Sequence, residues 1–232
     1  MKRYMIIYVF SICTSLSTAD AQNAIDFGLT YNYNMSSQTN YNPGVPDDGT
    51  FQWNTLSSFG IGIVAGKTLG DRIYSTSRLL YQQKGYVEEA QTAYVFDDLQ
   101  SPFSFHTLRN RFDYLTIESN IGYSLLRFKN LRISPLLGLN VNYLIKKNLD
   151  SEKIDPINSC YPISEFKGNW KKLSVGYNLG ISCSLQQKIN LGFEFQRSIS
   201  PLLATDNIVV KDWTWTIRMD ILLSNIFDID IL

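Results

Sequence analysis

The chain has 232 residues, and its 21 basic and 21 acidic side chains give a formal net charge of zero. No stretch is rich in lysine and arginine, so nucleic acid is excluded from the expected partners. One histidine and three cysteines form no cluster with metal-ligand spacing, and we predict neither a metal site nor a cofactor.

The N-terminus has the residue order of a secretory signal peptide. Lys2 and Arg3 precede an apolar run that ends near Leu16, and Ala19-Asp20-Ala21 offers the small residues of a cleavage site. The run is shorter than the roughly 20 apolar residues that span a bilayer. We therefore predict that residues 1–21 are a cleaved signal peptide and that residues 22–232 form one domain.

Apolar and polar residues alternate along eight segments of the predicted mature chain. Successive side chains of a strand point to opposite faces, so each segment has one apolar and one polar face. The predicted strands cover about residues 24–35, 57–68, 72–84, 110–125, 131–146, 173–185, 189–196 and 213–221.

The connections between these segments are alternately short and long. Residues 69–71, 127–130 and 186–188 have the length of turns in antiparallel hairpins. The long connections cover about residues 36–56, 85–109, 147–170 and 200–210. This alternation is typical of bacterial barrels with short periplasmic turns and long extracellular loops. It predicts an all-β fold, an eight-stranded antiparallel transmembrane β-barrel with up-and-down meander topology.

Two other all-β folds fit the alternation alone. A soluble barrel of lipocalin type would place the apolar faces inside, and a β-sandwich would bury them between two sheets. Against a soluble fold, the polar faces consist mainly of Gly, Ser, Thr and Asn, whereas a soluble exterior normally carries more Lys and Glu. Aromatic residues also gather near the predicted strand ends, as in the belts of membrane barrels. They are Tyr31, Tyr33, Trp53, Tyr81, Tyr86, Tyr143, Trp170, Trp213 and Trp215 towards the loops, and Phe128 and Phe227 towards the turns.

Three short motifs resemble those of the PorT-like outer-membrane β-barrel proteins. Leu79-Leu80-Tyr81-Gln82-Gln83-Lys84-Gly85-Tyr86 is similar to their Tyr-x-x-x-Gly strand ending. Tyr114-Leu115-Thr116-Ile117-Glu118 is similar to their Tyr-Leu-Glu-Ile-Pro strand, with Thr116 and Glu118 in place of the usual Glu and Pro. Ile133-Ser134-Pro135-Leu136-Leu137-Gly138-Leu139-Asn140 resembles their Pro-x-x-Gly strand. The resemblance implies an exported barrel in a Gram-negative outer membrane, in a family whose namesake is linked to protein secretion.

Charged residues on the predicted polar faces are the main candidates for a site. The interior of an eight-stranded barrel is only wide enough to be filled by side chains. Opposite charges there must neutralise one another, because an unpaired buried charge costs several kcal/mol. We therefore predict a structural polar network in the lumen, formed by Arg78, Glu118, Glu194, Arg218 and Asp220. A narrow solute channel is the alternative for the same residues.

His106 suggests an enzymatic alternative. The predicted loop Ser101-Pro102-Phe103-Ser104-Phe105-His106 combines a possible general base with two serines, a combination that a lipid-modifying enzyme could use. Adjacency in a loop is not a catalytic geometry, and we do not predict catalytic residues.

The sequence favours a non-enzymatic protein of the cell outer membrane. We expect a monomeric barrel in contact with outer-membrane lipid, with long loops that offer a surface for adhesion or docking. The expected partners are proteins of envelope assembly or of a secretion machine.

Overall fold

A computed structural model describes residues 25–41, 53–92, 104–149, 170–186, 188–204 and 209–223. Within these ranges the chain is all-β, and it contains no helix whose length and apolarity would suffice to cross a bilayer. The predicted signal peptide, Ser101 and Phe227 lie outside the described residues, so the signal peptide stays a prediction.

Eight long antiparallel strands form one closed barrel. In chain order the strands are β1 Asp26–Tyr41, β2 Trp53–Thr68, β3 Ile73–Thr92, β4 Ser104–Tyr123, β5 Leu126–Phe128, β6 Leu131–Leu149, β7 Leu173–Leu185, β8 Ile189–Ser198, β9 Leu203–Ala204 and β10 Val209–Leu222. The short β5 pairs with the start of β6, and the short β9 pairs with the start of β10. Each long strand pairs with the next, and β1 pairs with β10 from Gly28 opposite Leu222 to Tyr41 opposite Val209. The predicted eight-stranded antiparallel meander is confirmed.

The apolar faces of the strands point outward. Leu173 of β7, Leu191 of β8 and Ile217 of β10 are 42–51% exposed. Asn178 of β7 and Glu194 of β8 are only 1% exposed. A soluble barrel would have the opposite arrangement, with its apolar side chains packed inside. An exterior of this kind has no partner in water but matches the hydrocarbon of a bilayer, which supplies the apolar contacts.

Short connections gather at one end of the barrel. The β2–β3 connection contains Gly70 at φ 144°, a left-handed conformation that glycine adopts without strain. Lys129 and Asn130 form the β5–β6 turn, which is shorter than predicted because Arg127 and Phe128 belong to β5. Gln186 opens the β7–β8 turn. We call this the turn end, and we call the opposite end, at which β1, β3, β6 and β8 finish, the loop end.

β3 and β4 are longer than the alternation predicts. The sequence places their limits at Lys84 and Asn110, but they remain paired as far as Thr92 opposite Ser104. The β2 pairing with β3 ends at Glu88, and the β6 pairing with β4 ends at Asn110. Residues 89–92 and 104–109 therefore form a two-stranded ribbon that extends beyond the rim. A ribbon outside the lipid has no face that must be apolar, so periodicity gives no signal there.

Two aromatic residues predicted for the outer belt lie inside the barrel. Tyr81, Tyr143 and Trp215 face outward as predicted, with 38–46% of their surface exposed. Tyr86 is 1% exposed, and Trp170 packs against buried Phe112. Tyr86 has the inward parity of its strand, and Trp170 comes just before β7, where the chain crosses the rim.

The lipid-facing surface can be tested with one charge at two depths. Ile217→Lys places an ammonium group on the exterior near the middle of β10 and should destabilise the barrel by about 2–4 kcal/mol. The control is Ile189→Lys, on the same face beside the turn end, where a cost of about 0–1 kcal/mol is expected. Urea unfolding in lipid vesicles measures both, and equal costs would contradict the placement of the bilayer.

Candidate functional site in the barrel lumen

The structure brings the five charged residues of the predicted network together inside the barrel. They come from four strands: β3 supplies Arg78, β4 Glu118, β8 Glu194, and β10 both Arg218 and Asp220. Each points inward and is at most 5% exposed. We call these five residues the ion-pair network.

Arg218 lies at the centre of the ion-pair network. Its Nη1 donates to Glu194 Oε1 at 2.6 Å, and its Nη2 lies 2.6 Å from Glu118 Oε2. Its Nε donates to Asn32 Oδ1 at 3.0 Å. Two carboxylates and one amide thus surround this guanidinium in a space from which lipid is excluded.

Arg78 connects Glu118 to Asp220. Its Nη2 donates to Asp220 Oδ2 at 2.6 Å and its Nε donates to Oδ1 at 3.2 Å, which is the bidentate geometry of a strong pair. Its Nη1 lies 4.0 Å from Glu118 Oε2. Opposite charges therefore alternate across the lumen, from Asp220 through Arg78, Glu118 and Arg218 to Glu194.

Neutral polar side chains fill the lumen beside the ion-pair network. Gln82 Nε2 donates to Thr116 Oγ1 and Thr116 Oγ1 donates to Asn142 Oδ1, both at 2.8 Å. Asn142 Nδ2 donates to Asn140 Oδ1 at 2.8 Å, and Asn140 in turn donates to Asn178. This chain of hydrogen bonds crosses β3, β4, β6 and β7.

Sequence reasoning missed a second ion pair, between Lys84 and Asp212. Lys84 Nζ lies 3.6 Å from Asp212 Oδ2 and donates to Gln196 Oε1 at 3.2 Å. Gln196 Nε2 donates to Glu118 Oε1 at 2.8 Å, which joins this pair to the ion-pair network. The missed signal was parity, since Lys84 lies six positions after Arg78 and an even offset places both side chains on the same face of the strand.

An aromatic cluster fills the lumen at the loop end. Phe112 stacks with Tyr86 and Tyr114 at ring-centroid distances of 6.3 and 6.4 Å, and it meets Trp170 at 4.7 Å. Val210 is fully buried against Trp170. Apolar side chains therefore occupy the loop end of the interior.

Two residues of the enzymatic alternative lie in a strand and not in the predicted loop. His106 lies in β4, opposite Ala90 of β3, and not in a connection as predicted. Ser104 is likewise in β4, opposite Thr92. In the described part of the chain, no group of three His, Cys, Asp or Glu side chains is placed to hold a metal ion. The lipid-modifying alternative stays a prediction.

A closed barrel with an apolar exterior and a paired polar interior belongs to the class of transmembrane β-barrels. A family model described as "Outer membrane protein beta-barrel domain" matches residues 20–204, and the chain belongs to this family. The family implies residence in the outer membrane. The finer PorT-like resemblance stays a prediction.

Comparison with known proteins finds similar folds at low sequence identity. No curated protein matches the chain. The attachment invasion locus protein Ail of Yersinia pestis is 10% identical, with 85% of this chain and 97% of Ail covered and a TM-score of 0.39. Neisserial surface protein A is 9% identical, with 84% and 96% covered and a TM-score of 0.41. OprG of Pseudomonas aeruginosa is 9% identical, with 85% and 96% covered and a TM-score of 0.39.

The ion-pair network can be tested by removing its central cation. Arg218→Met leaves Glu118 and Glu194 without their guanidinium and should destabilise the barrel by about 3–5 kcal/mol. Adding Glu118→Gln and Glu194→Gln to this variant should recover most of the loss, because no unpaired charge then remains buried. Denaturant unfolding in detergent, followed by tryptophan fluorescence, measures each variant.

The matched control for this series is Arg197→Met. Arg197 lies in β8 like Glu194 but is exposed on the outer face, so its loss should change the free energy of unfolding by no more than about 0.5 kcal/mol. If Arg218→Met and Arg197→Met cost the same, the buried pairs do not stabilise the barrel.

Proposed function

We propose that this protein is a non-enzymatic outer-membrane barrel that serves as a rigid platform for adhesion or for docking of other envelope proteins. In this role it is an accessory of envelope assembly or of protein secretion, and it acts through its loop end. The observation that carries the proposal is the filled lumen. A barrel without an open channel can act on other molecules only through its surface.

The filling consists of three groups of side chains. The ion-pair network and the chain of amide hydrogen bonds lie beside each other, with Asn140 directly opposite Glu118, and the aromatic cluster lies at the loop end. Buried side chains such as Glu118, Thr116 and Phe112, each 0% exposed, follow one another along the inward face of β4. A solute would have to break charged pairs and displace packed rings to pass.

The loop end offers a surface for contacts. The ribbon of residues 89–92 and 104–109 extends β3 and β4 past the neighbouring strands, and its backbone is held by its own pairing. Segments presented by a rigid scaffold in this way are common sites of binding. This supports a docking role and favours it over transport.

The filled lumen predicts that the folded protein does not conduct ions across the membrane. Purified barrel reconstituted into planar bilayers should give no stepwise conductance, because the filling leaves no continuous water path. A porin inserted under the same conditions provides the positive control. Reproducible conductance steps from the wild-type chain would favour the narrow-channel alternative.

The docking role predicts partner contacts at one end only. A photo-crosslinking residue in place of exposed Thr107, in the ribbon, should give an adduct of one reproducible mass in intact cells. The control is the same substitution at exposed Thr68, at the turn end of β2. The same adducts at both positions, or none at Thr107, would contradict the proposal.

A further inference from the structure

A cleft of about 350 Å³ opens at the turn end of the barrel. All three turn-end connections contribute to its walls, so it lies across the mouth of the lumen and outside the filled interior. Its polar lining includes Asp71 from the β2–β3 connection, Arg127, Lys129 and Arg132 from the β5–β6 hairpin, and Gln186 from the β7–β8 turn. We call it the turn cleft.

The lining of the turn cleft carries an excess of positive charge. Arg127, Lys129 and Arg132 contribute three positive charges and Asp71 contributes one negative charge, which leaves a net charge of +2. No other lining residue is acidic or basic. In the ion-pair network, by contrast, each guanidinium has a carboxylate within 2.6 Å.

Two of the cations lie directly opposite each other. Arg127 of β5 pairs with Arg132 of β6, and directly opposed residues of an antiparallel pair place their side chains on the same face. Like charges in this position repel and destabilise the hairpin. An anion between them would turn the repulsion into attraction.

Arg132 is held in place by the barrel wall. Its guanidinium carbon lies 4.3 Å from the centroid of the Tyr74 ring. The Tyr74 hydroxyl is hydrogen-bonded to Ser182 at 2.5 Å, and the ring lies over Gly122, where a Cβ atom would come within 2.3 Å of it. Arg132 is therefore preorganised by contacts that do not neutralise its charge, and the nearest acidic side chain acting on it, that of Asp26, interacts through the field without a hydrogen bond or an ion pair to Arg132.

One donor of this arginine has no partner in the described residues. Arg132 Nε is buried from solvent and makes no hydrogen bond there. A buried donor without an acceptor costs free energy, so an acceptor that reached this atom from the cleft would stabilise the barrel.

We propose that the turn cleft binds a phosphate group. A planar guanidinium pairs with phosphate oxygens through two parallel hydrogen bonds, and two arginines with a lysine can satisfy several oxygens at once. A phosphate monoester carries a charge of about −1.5 to −2 at neutral pH, which matches the net charge of +2 of the lining. A single carboxylate would neutralise only half of that charge. The phosphate comes from a free phosphate compound or from a lipid headgroup beside the mouth, near exposed Phe128.

Titration calorimetry of the detergent-solubilised full chain with inorganic phosphate, in a phosphate-free buffer, tests the site. Arg127→Gln removes one cation and leaves the contact between Arg132 and Tyr74 intact. Its affinity for phosphate should be at least about tenfold weaker than that of the wild type, as expected for the loss of a charged hydrogen bond. The matched control is Lys188→Gln, an exposed cation at the same end that does not line the cleft, and it should bind as the wild type does.

A second arm separates the two sources of phosphate. Vesicles of neutral phospholipid with and without phosphatidic acid are used to reconstitute the wild type and Arg127→Gln, and bound lipid is then identified by native mass spectrometry. Retention of phosphatidic acid by the wild type alone, without calorimetric binding of inorganic phosphate, assigns the site to a lipid headgroup. Binding of inorganic phosphate assigns it to a free compound.

Thermal unfolding gives an independent readout of the same site. Without phosphate, Arg127→Gln should be at least as stable as the wild type, because the opposed like charges are gone. Added phosphate should raise the unfolding temperature of the wild type and have little effect on the variant. The proposal is overturned if neither phosphate nor phosphatidic acid binds, or if wild type and Arg127→Gln bind them equally.

Discussion

The structure depends on the need to pair every backbone N–H and C=O group in a medium that offers no hydrogen bonds. A sheet meets this need in lipid only if it has no free edge. The pairing of β1 with β10 removes the two edges that the other strands leave, and it runs over nearly the full length of both strands. The outward apolar faces, the inward polar faces and the narrow lumen all follow from that closure.

Closure with eight strands also determines what the interior can contain. Such a barrel holds side chains and little else, so glycines are needed beside the long inward side chains. A Cβ at Gly180 would come within 2.7 Å of the Glu194 side chain, and one at Gly176 within 2.7 Å of Asn140. The space taken by the long polar side chains is thus provided by glycines directly opposite them on the adjacent paired strands. The charges are buried, but they are buried as pairs.

The sequence pattern predicted the features that contact with lipid imposes. It missed features on which lipid places no constraint. Alternation located the eight strands and their faces, and it selected Arg78 and Glu118 as interior residues. It failed for the ribbon beyond Lys84, where neither face meets hydrocarbon. The sequence predicts Trp170 in the outer belt because its pattern does not distinguish an aromatic residue that faces the lipid from one that faces the lumen. Only the path of the chain across the rim places it inside, against Phe112.

The ion-pair network has a consequence for how the barrel enters the membrane. Arg78 and Asp220 are 142 residues apart, so the carboxylate that neutralises this guanidinium arrives with the last strand. A partial sheet of β1 to β4 would carry Arg78 and Glu118 into hydrocarbon with only each other, 4.0 Å apart, and without Asp220 and Arg218, which lie 2.6 Å from them in the complete barrel. Burying these ions without their close partners costs several kcal/mol. Stepwise insertion of hairpins is therefore disfavoured. The chain is expected to cross into the bilayer as a nearly complete cylinder, with its charges already matched before they lose water.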